Sequence, residues 1–291
     1  MREKKTTRFR KLLNQPGAIV LPGAYDALTA ILAERAGFEA IAHTGYGVSA
    51  SLLGQPDVGL VCFKEMCDRV QSIARAVSIP LLADADTGYG NAINVYRTVK
   101  EYIRAGAAGL FIEDQVWPKR CGHMMGKQVI SAEEMVSKIR AAIDARNEED
   151  PDFVVGARCD AIATHGFDEA LRRAKLYSEA GADFIFIEAY ENVEQMKKAV
   201  KEIDKPLIVN LIEGGKTPIL TVQQAEEIGF KLIASPLTTL WATTKAVSEA
   251  LRVLREEGST EALMDKFVTW GEFNEIIGLP RIMEMEQKYK S

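Results

Sequence analysis

Arg104-Ala105-Gly106-Ala107-Ala108-Gly109-Leu110-Phe111-Ile112-Glu113-Asp114 reads as the end of a charged helix, a glycine turn, and a short apolar strand finishing in two acids. The glycine suits the left-handed residue that closes a helix. A run that is apolar at successive positions suits a strand buried on both faces. The same helix ending recurs at Arg35-Ala36-Gly37-Phe38, Glu179-Ala180-Gly181-Ala182 and Glu227-Ile228-Gly229-Phe230.

Working outward from this unit, apolar runs at 18–21, 40–43, 80–85, 109–113, 153–157, 184–188, 206–211 and 231–235 are predicted strands. Segments with helical apolar spacing separate them, at 26–35, 63–76, 93–105, 132–145, 167–180, 193–202 and 222–228. Eight buried strands joined by crossover helices predict an α/β fold, a (β/α)8 TIM-type barrel. An open doubly wound sheet is the alternative, weakened because no Gly-x-Gly-x-x-Gly follows the first strand. The expected division is a catalytic barrel over 1–258 and a C-terminal helical extension over 259–291. Helical pattern continues past Thr239, over 241–257 and 261–290, and this surplus would pack on the barrel or on a neighbouring subunit.

A length of 291 residues matches one such barrel, and 47% hydrophobic with 26% charged residues describes a globular protein. The net charge of -5 supplies no basic field for nucleic acid. No apolar run has the length of a membrane span, and the N-terminal residues lack the apolar core of a signal peptide. The four cysteines, Cys62, Cys67, Cys121 and Cys159, are scattered through a large core and read as reduced, which points to the cytoplasm. Cys62 and Cys67 have no matching pair nearby, so a zinc site is not expected.

In a barrel of this kind chemistry gathers at the C-terminal ends of the strands. The third strand ends Leu82-Ala83-Asp84-Ala85-Asp86, and pleat alternation sends Asp84 and Asp86 the same way. The fourth supplies Glu113 and Asp114. Hard oxygen ligands without histidine or thiol suit Mg2+ or Mn2+, held by Asp84, Asp86 and Glu113, with solvated loop acids as the alternative. The fifth strand ends in Arg158 and Asp160, the sixth in Glu188, and Asn210 and Glu213 belong to the seventh. Arg158 would clamp a substrate carboxylate or phosphonate with its planar fork, or pair internally with Glu188.

Thr44-Gly45-Tyr46-Gly47-Val48-Ser49 follows the second strand, with glycines that let backbone N–H groups approach an anion. Asp57 either reaches the rim or sits in an exposed turn, and the turn is the favoured expectation. His43 and His165 have no evident partner and read mainly as satisfied polar residues. Lys119-Arg120-Cys121-Gly122-His123 places a thiol among three cationic side chains, a setting expected to favour the thiolate and lower the thiol pKa from about 8.5.

Three of these stretches occur together in a recognisable order. Asp84-Ala85-Asp86-Thr87-Gly88-Tyr89-Gly90, then Ile112-Glu113-Asp114-Gln115, then Lys119-Arg120-Cys121-Gly122-His123 resemble the isocitrate lyase and phosphoenolpyruvate mutase superfamily, over about residues 22–257. The resemblance is to its short branch, which holds lyases and hydrolases of small hydroxy or keto acids as well as phosphonomutases. It implies that Asp84 and Asp86 sit at a Mg2+ site supported by Glu113. Thr44, Gly45 and Tyr46 would hold the carboxylate of a pyruvate-like moiety, and Arg158, Glu188 and Asn210, with Asp57 nearby, would line the substrate pocket. Lys119, Gly122 and His123 would belong to a mobile gating loop that carries Cys121 as proton donor.

The resemblance also implies a homotetramer that exchanges its C-terminal helices. The implied activity is Mg2+-dependent retro-aldol cleavage of a 2,3-dimethylmalate-like dicarboxylate to pyruvate and a second carboxylate. Cleavage of the tricarboxylate 2-methylisocitrate, or hydrolysis of oxaloacetate, are the alternatives. Phosphonomutase chemistry and a non-catalytic dicarboxylate-binding barrel lie further off. Three departures matter. Ile212 stands where the methylisocitrate branch carries a hydroxyl, which favours a dicarboxylate; Ala42 replaces a tyrosine, leaving Tyr46 or a metal-bound water as base; and Cys159 replaces a threonine.

Overall fold

The computed structural model describes residues 3–290. Eight parallel strands close into a barrel in chain order: β1 Ile19–Ala24, β2 Ile41–His43, β3 Leu81–Asp84, β4 Gly109–Glu113, β5 Val154–Cys159, β6 Phe184–Ile187, β7 Leu207–Asn210 and β8 Leu232–Ser235. β8 returns to β1 in register, with Ile19 opposite Leu232 and Pro22 opposite Ser235. The expected barrel is the observed one, and strand bounds differ from those predicted mainly by one to three residues at the ends.

Helices in chain order are α1 Lys5–Asn14, α2 Ala27–Arg35, α3 Gly45–Val48, α4 Phe63–Ala76, α5 Ala92–Ala105, α6 Ala132–Glu149, α7 Ile162–His165, α8 Phe167–Glu179, α9 Val193–Glu202, α10 Val222–Ile228, α11 Thr238–Glu257, α12 Trp270–Ile276 and α13 Leu279–Lys288. Local chemistry fixes their ends. Asp26 accepts from the Thr29 N–H and caps α2, while Gly106 ends α5 in the left-handed region at φ 97°. No helix is long and apolar enough to cross a membrane among the described residues.

Pleat alternation divides the barrel into two cores. Leu81, Ala83, Leu110, Ile112, Val155, Ala157, Ile185 and Ile187 pack outward beneath the helices. Leu21, Ala42, Leu82, Phe111, Val154, Phe184, Phe186, Ile208 and Ala234 fill the interior. Phe9, Leu12 and Leu13 of α1 belong to that interior cluster, so an unpredicted helix closes the N-terminal end of the barrel. Among the described residues, the opposite end of the barrel interior is left to receive a ligand.

The chain forms two compact units, one running to Thr238 and the other from Thr239; the sequence-based division lay at 258/259, after α11. In the second unit α12 and α13 bury no residue, and Trp270 is 86% exposed.

Candidate active site

The alternation that packs the interior also sets its upper layer. Two residues above Leu82, Phe111, Phe186 and Ile208 come Asp84, Glu113, Glu188 and Asn210. β4 and β5 pair with Glu113 opposite Arg158, which completes a charged layer on an aromatic floor. Phe111 and Phe186 meet edge-on at 5.4 Å, and the Arg158 guanidinium lies 5.1 Å over the Phe186 ring. Above them a cavity of about 60 Å³ is lined by Ala42, Thr44, Asp84, Cys121, Arg158 and Asn210, among others.

Arg158 is held on three sides. Its Nε lies 2.9 Å from Asp160 Oδ2 and 3.3 Å from Glu113 Oε2, and its Nη2 is 3.4 Å from Glu188 Oε2. The internal pairing with Glu188 considered from sequence is therefore present, with two further acids. Burial works against the charge on Glu188, but Arg158 and a hydrogen bond from His123 outweigh it and hold its pKa below the usual carboxylate range. Asn210 donates its side-chain amide to Glu188 Oε2 at 3.3 Å.

Asp84 ends β3, but Asp86 lies beyond the strand with φ at 47°, so a left-handed turn and not the pleat aims it. Its backbone N–H donates to Asp84 Oδ1 at 2.9 Å, which places the two acids together. Burial first, and then the Asp86 charge, push Asp84 up to about 6. Burial likewise drives Glu113 well above its ordinary value, and its Oε1 has no hydrogen-bond partner. Three acids buried at one rim, two disfavoured as anions, are a donor set that fits a hard cation. They do not converge as a ready three-ligand cluster among the described residues. Lys119 takes up part of the charge instead: its Nζ lies 2.8 Å from Asp86 Oδ1 and 2.6 Å from Asp57 Oδ1.

That contact corrects two expectations. Asp57 is buried, not in an exposed turn, because the Lys119 ammonium holds it inside. Cys121 is not a thiolate: burial, with Asp57 and Glu188 adding to it, pushes its pKa up to about 11. Lys119 faces the acids of the rim, while Arg120 is tied to Gln115 through its backbone N–H and carbonyl. Lys119 thus spends its charge on other partners, and Arg120 is exposed.

The segment from Gln115 to Val129 is a flap closed at its base by an antiparallel bridge between those two residues. Its tip is pinned over the cavity. The Cys121 N–H donates to the Asp57 carbonyl at 3.0 Å, and His123 Nδ1 accepts the Lys216 N–H at 2.8 Å. His123 Nε2 lies 2.9 Å from Glu188 Oε1. Gly122 packs so closely that a Cβ would lie 2.4 Å from both Arg158 Nη2 and Glu188 Cγ. Thr44, expected in a glycine loop, is the N-cap of α3 and accepts from the Gly47 N–H at 3.2 Å. Gly45 abuts Asp84, where a Cβ would meet Oδ2 at 2.8 Å. Tyr46 lines the cavity, and burial, followed by Cys121 and Asp57, raises its pKa. It is a donor there and poorly suited to be a base.

Of the remaining candidates, Asp114 is turned away from the rim. It accepts from the Asp160 N–H at 2.8 Å and from the Tyr177 hydroxyl at 2.7 Å. His165 is exposed and outside the cavity. His43 does line it, and burial lowers its pKa to about 4, which makes it a neutral imidazole. Lys127 escaped sequence reasoning; it is buried against Asp160, 33 positions away, and no local pattern announces that pairing.

Residues 9–255 match the family model described as phosphoenolpyruvate phosphomutase. The chain is 48% identical over 282 residues to a 2,3-dimethylmalate lyase of Eubacterium barkeri, covering 97% of each. It is 47% identical to a chloroplastic carboxyvinyl-carboxyphosphonate phosphorylmutase of Arabidopsis thaliana, covering 98% of this chain and 85% of that one. Among solved structures it is similar to an oxaloacetate acetylhydrolase in complex with 3,3-difluorooxalacetate, at 38% identity and TM-score 0.94, covering 99% and 98%.

Proposed function

The chain belongs to the phosphoenolpyruvate phosphomutase family and is a lyase of the isocitrate lyase and phosphoenolpyruvate mutase superfamily, and from that premise we propose that it cleaves a 2-hydroxy dicarboxylate of the 2,3-dimethylmalate type to pyruvate and a second carboxylate. The observation that carries this reading is Cys121: a thiol kept protonated by burial, on the cavity wall, opposite a rim of carboxylates.

In a retro-aldol cleavage the 2-hydroxyl passes its proton to a water at the rim, the base left once Tyr46 is set aside, the C2–C3 bond breaks, and its electron pair moves onto C3 beside a carboxylate. That carbon then takes a proton. Cys121 supplies it, and a thiol with its pKa raised to about 11 holds that proton until carbon basicity develops. The flap covers the cavity and excludes water that would otherwise compete. Arg158 binds one substrate carboxylate, with Asn210 beside it. The Gly45 and Tyr46 backbone, with the Tyr46 hydroxyl, receives the other.

Superfamily members of this chemistry are typically metal-dependent. The oxygen donors Asp84, Asp86 and Glu113 would hold Mg2+ or Mn2+, which when bound acidifies a coordinated hydroxyl. Lys119 stands beside Asp86 and would adjust its position as that charge is supplied.

Substrate size is argued from the pocket. Buried apolar Ile212 on the cavity wall offers no hydrogen bond to a third carboxylate, which favours a dicarboxylate over the tricarboxylate 2-methylisocitrate. Oxaloacetate, also a dicarboxylate, is the second reading, favoured by the same apolar wall at Ile212. The exposed apolar side chains of α12 and α13 support assembly into a homotetramer. Four free cysteines support a reducing, cytoplasmic setting.

Pyruvate release from 2,3-dimethylmalate by the wild-type protein and by Cys121→Ser tests the proposal. A Cys121→Ser variant that keeps wild-type turnover would remove the thiol from the mechanism.

A further inference from the structure

Lys127 is a lysine at the far end of the flap whose side chain is 1% exposed. Its ammonium donates to the carbonyl of Gly122, at the flap's tip, and lies 2.8 Å from Asp160 Oδ1. The same carboxylate takes two hydrogen bonds from Arg158, Nε to Oδ2 at 2.9 Å and Nη2 to Oδ1 at 3.1 Å. Asp160 is in turn fixed through its backbone, whose N–H donates to Asp114 Oδ1 at 2.8 Å. One buried carboxylate therefore grips a cation of the flap and a cation of the pocket at once.

We propose that Lys127 is a positioning residue that latches the flap: by bridging the Gly122 carbonyl to Asp160, it sets the place of Cys121 over the cavity and ties flap closure to the orientation of Arg158. The inference relies on the proposed lyase reading only for Cys121's role as proton donor. The latch itself is geometric. Gly122 is the residue where a Cβ would press on Arg158 and Glu188, and its carbonyl receives the Lys127 ammonium. Without that cation, a buried carbonyl loses its donor and Asp160 loses one of two charge partners. Water then competes for both, and the tip opens.

The Cys121 N–H bond to the Asp57 carbonyl and the Lys216 N–H bond to the His123 ring remain in such a variant, so the tip is loosened and not released. Arg158 keeps Asp160, Glu113 and Glu188, and ground-state binding of a carboxylate survives. The geometry predicts a split: kcat falls while KM stays near its wild-type value. A misplacement of about 1 Å at a reacting group costs on the order of 10²-fold in rate.

The test uses Lys127→Met and Lys127→Arg in the full chain. Iodoacetamide alkylation of Cys121 is followed by peptide mass spectrometry, with exposed Cys62 as internal reference. This readout needs no turnover, so it judges the latch even where the substrate assignment is wrong. The expected result for Lys127→Met is alkylation of Cys121 about tenfold faster or more, the opening that loss of a charge-assisted hydrogen bond permits, at an unchanged Cys62 rate. Lys127→Arg keeps the cation and stays within about threefold of wild type, well short of that loss. In turnover of 2,3-dimethylmalate, Lys127→Met lowers kcat with little change in KM. Wild-type protection of Cys121 in Lys127→Met overturns the latch. If Lys127→Met speeds Cys62 as well, its fold is lost and Lys127→Arg decides: protected Cys121 supports the latch, fast alkylation overturns it.

Discussion

His123 reaches Glu188 across the mouth of the barrel, with Nε2 2.9 Å from Oε1. Its other ring nitrogen accepts the Lys216 backbone N–H at 2.8 Å, so that nitrogen carries no proton and Nε2 must. The flap and the β7–α10 loop thus fix one tautomer, with Nε2 beside a carboxylate of the pocket. Gly215 permits this arrangement, since a Cβ there would lie 2.7 Å from His123 Nδ1. Gly215→Ala is expected to displace the ring and lower kcat by about 10²-fold, with a melting temperature near wild type because the loop is at the surface. Steady-state kinetics beside a thermal melt check both halves.

Cys121 gives a pH prediction with a definite sign. Burial favours the neutral thiol, so the folded-state pKa lies near about 11, above that of an unfolded cysteine. Alkylation of Cys121 should rise with pH toward a half-maximum near 11, and the lyase rate should show no alkaline loss from this group below that. An apparent pKa below about 8.5 from site-resolved alkylation would restore the thiolate reading.

Arg158 is predicted to serve both binding and stability. Arg158→Met removes the cation that Asp160, Glu113 and Glu188 share, and breaking a buried pair of this kind costs about 3–5 kcal/mol. Arg158→Lys keeps the charge but loses the fork. Urea unfolding should therefore separate the two, with Arg158→Met far less stable, while both raise KM for the dicarboxylate.

Ile212 is the specificity prediction. A hydroxyl at this wall offers a hydrogen bond to a third carboxylate that the apolar side chain lacks. Ile212→Thr should raise kcat/KM for 2-methylisocitrate relative to 2,3-dimethylmalate by about tenfold or more, the scale at which a single pocket contact discriminates. An unchanged ratio would place the discriminating contact elsewhere.

Much of this was legible because a strand's period of two is rigid. Once Leu82, Phe111, Phe186 and Ile208 are inside, Asp84, Glu113, Glu188 and Asn210 follow them to the rim. The misreadings arose where neighbours in sequence are not neighbours in space. Lys119 flanks Cys121 by two positions yet spends its charge on Asp57 and Asp86, which holds Asp57 inside, while burial reverses the expected thiol shift. Phe9, Leu12 and Leu13 were hidden among Lys5, Arg8, Arg10 and Lys11, so the helix that plugs the barrel went unpredicted. Lys127 meets Asp160 only through the flap's return path, which no local spacing encodes.

The central claim is carbon–carbon cleavage of a small 2-hydroxy dicarboxylate with a protonated thiol as acid. Its most direct test is product analysis of purified protein with Mg2+ and, separately, 2,3-dimethylmalate, 2-methylisocitrate, oxaloacetate and phosphoenolpyruvate. The account predicts pyruvate and propionate in equal amounts from 2,3-dimethylmalate, loss of that activity on chelation, and a fall of about 10²- to 10⁴-fold in Cys121→Ser. Phosphonopyruvate from phosphoenolpyruvate, with no pyruvate from either malate-type substrate, would contradict it.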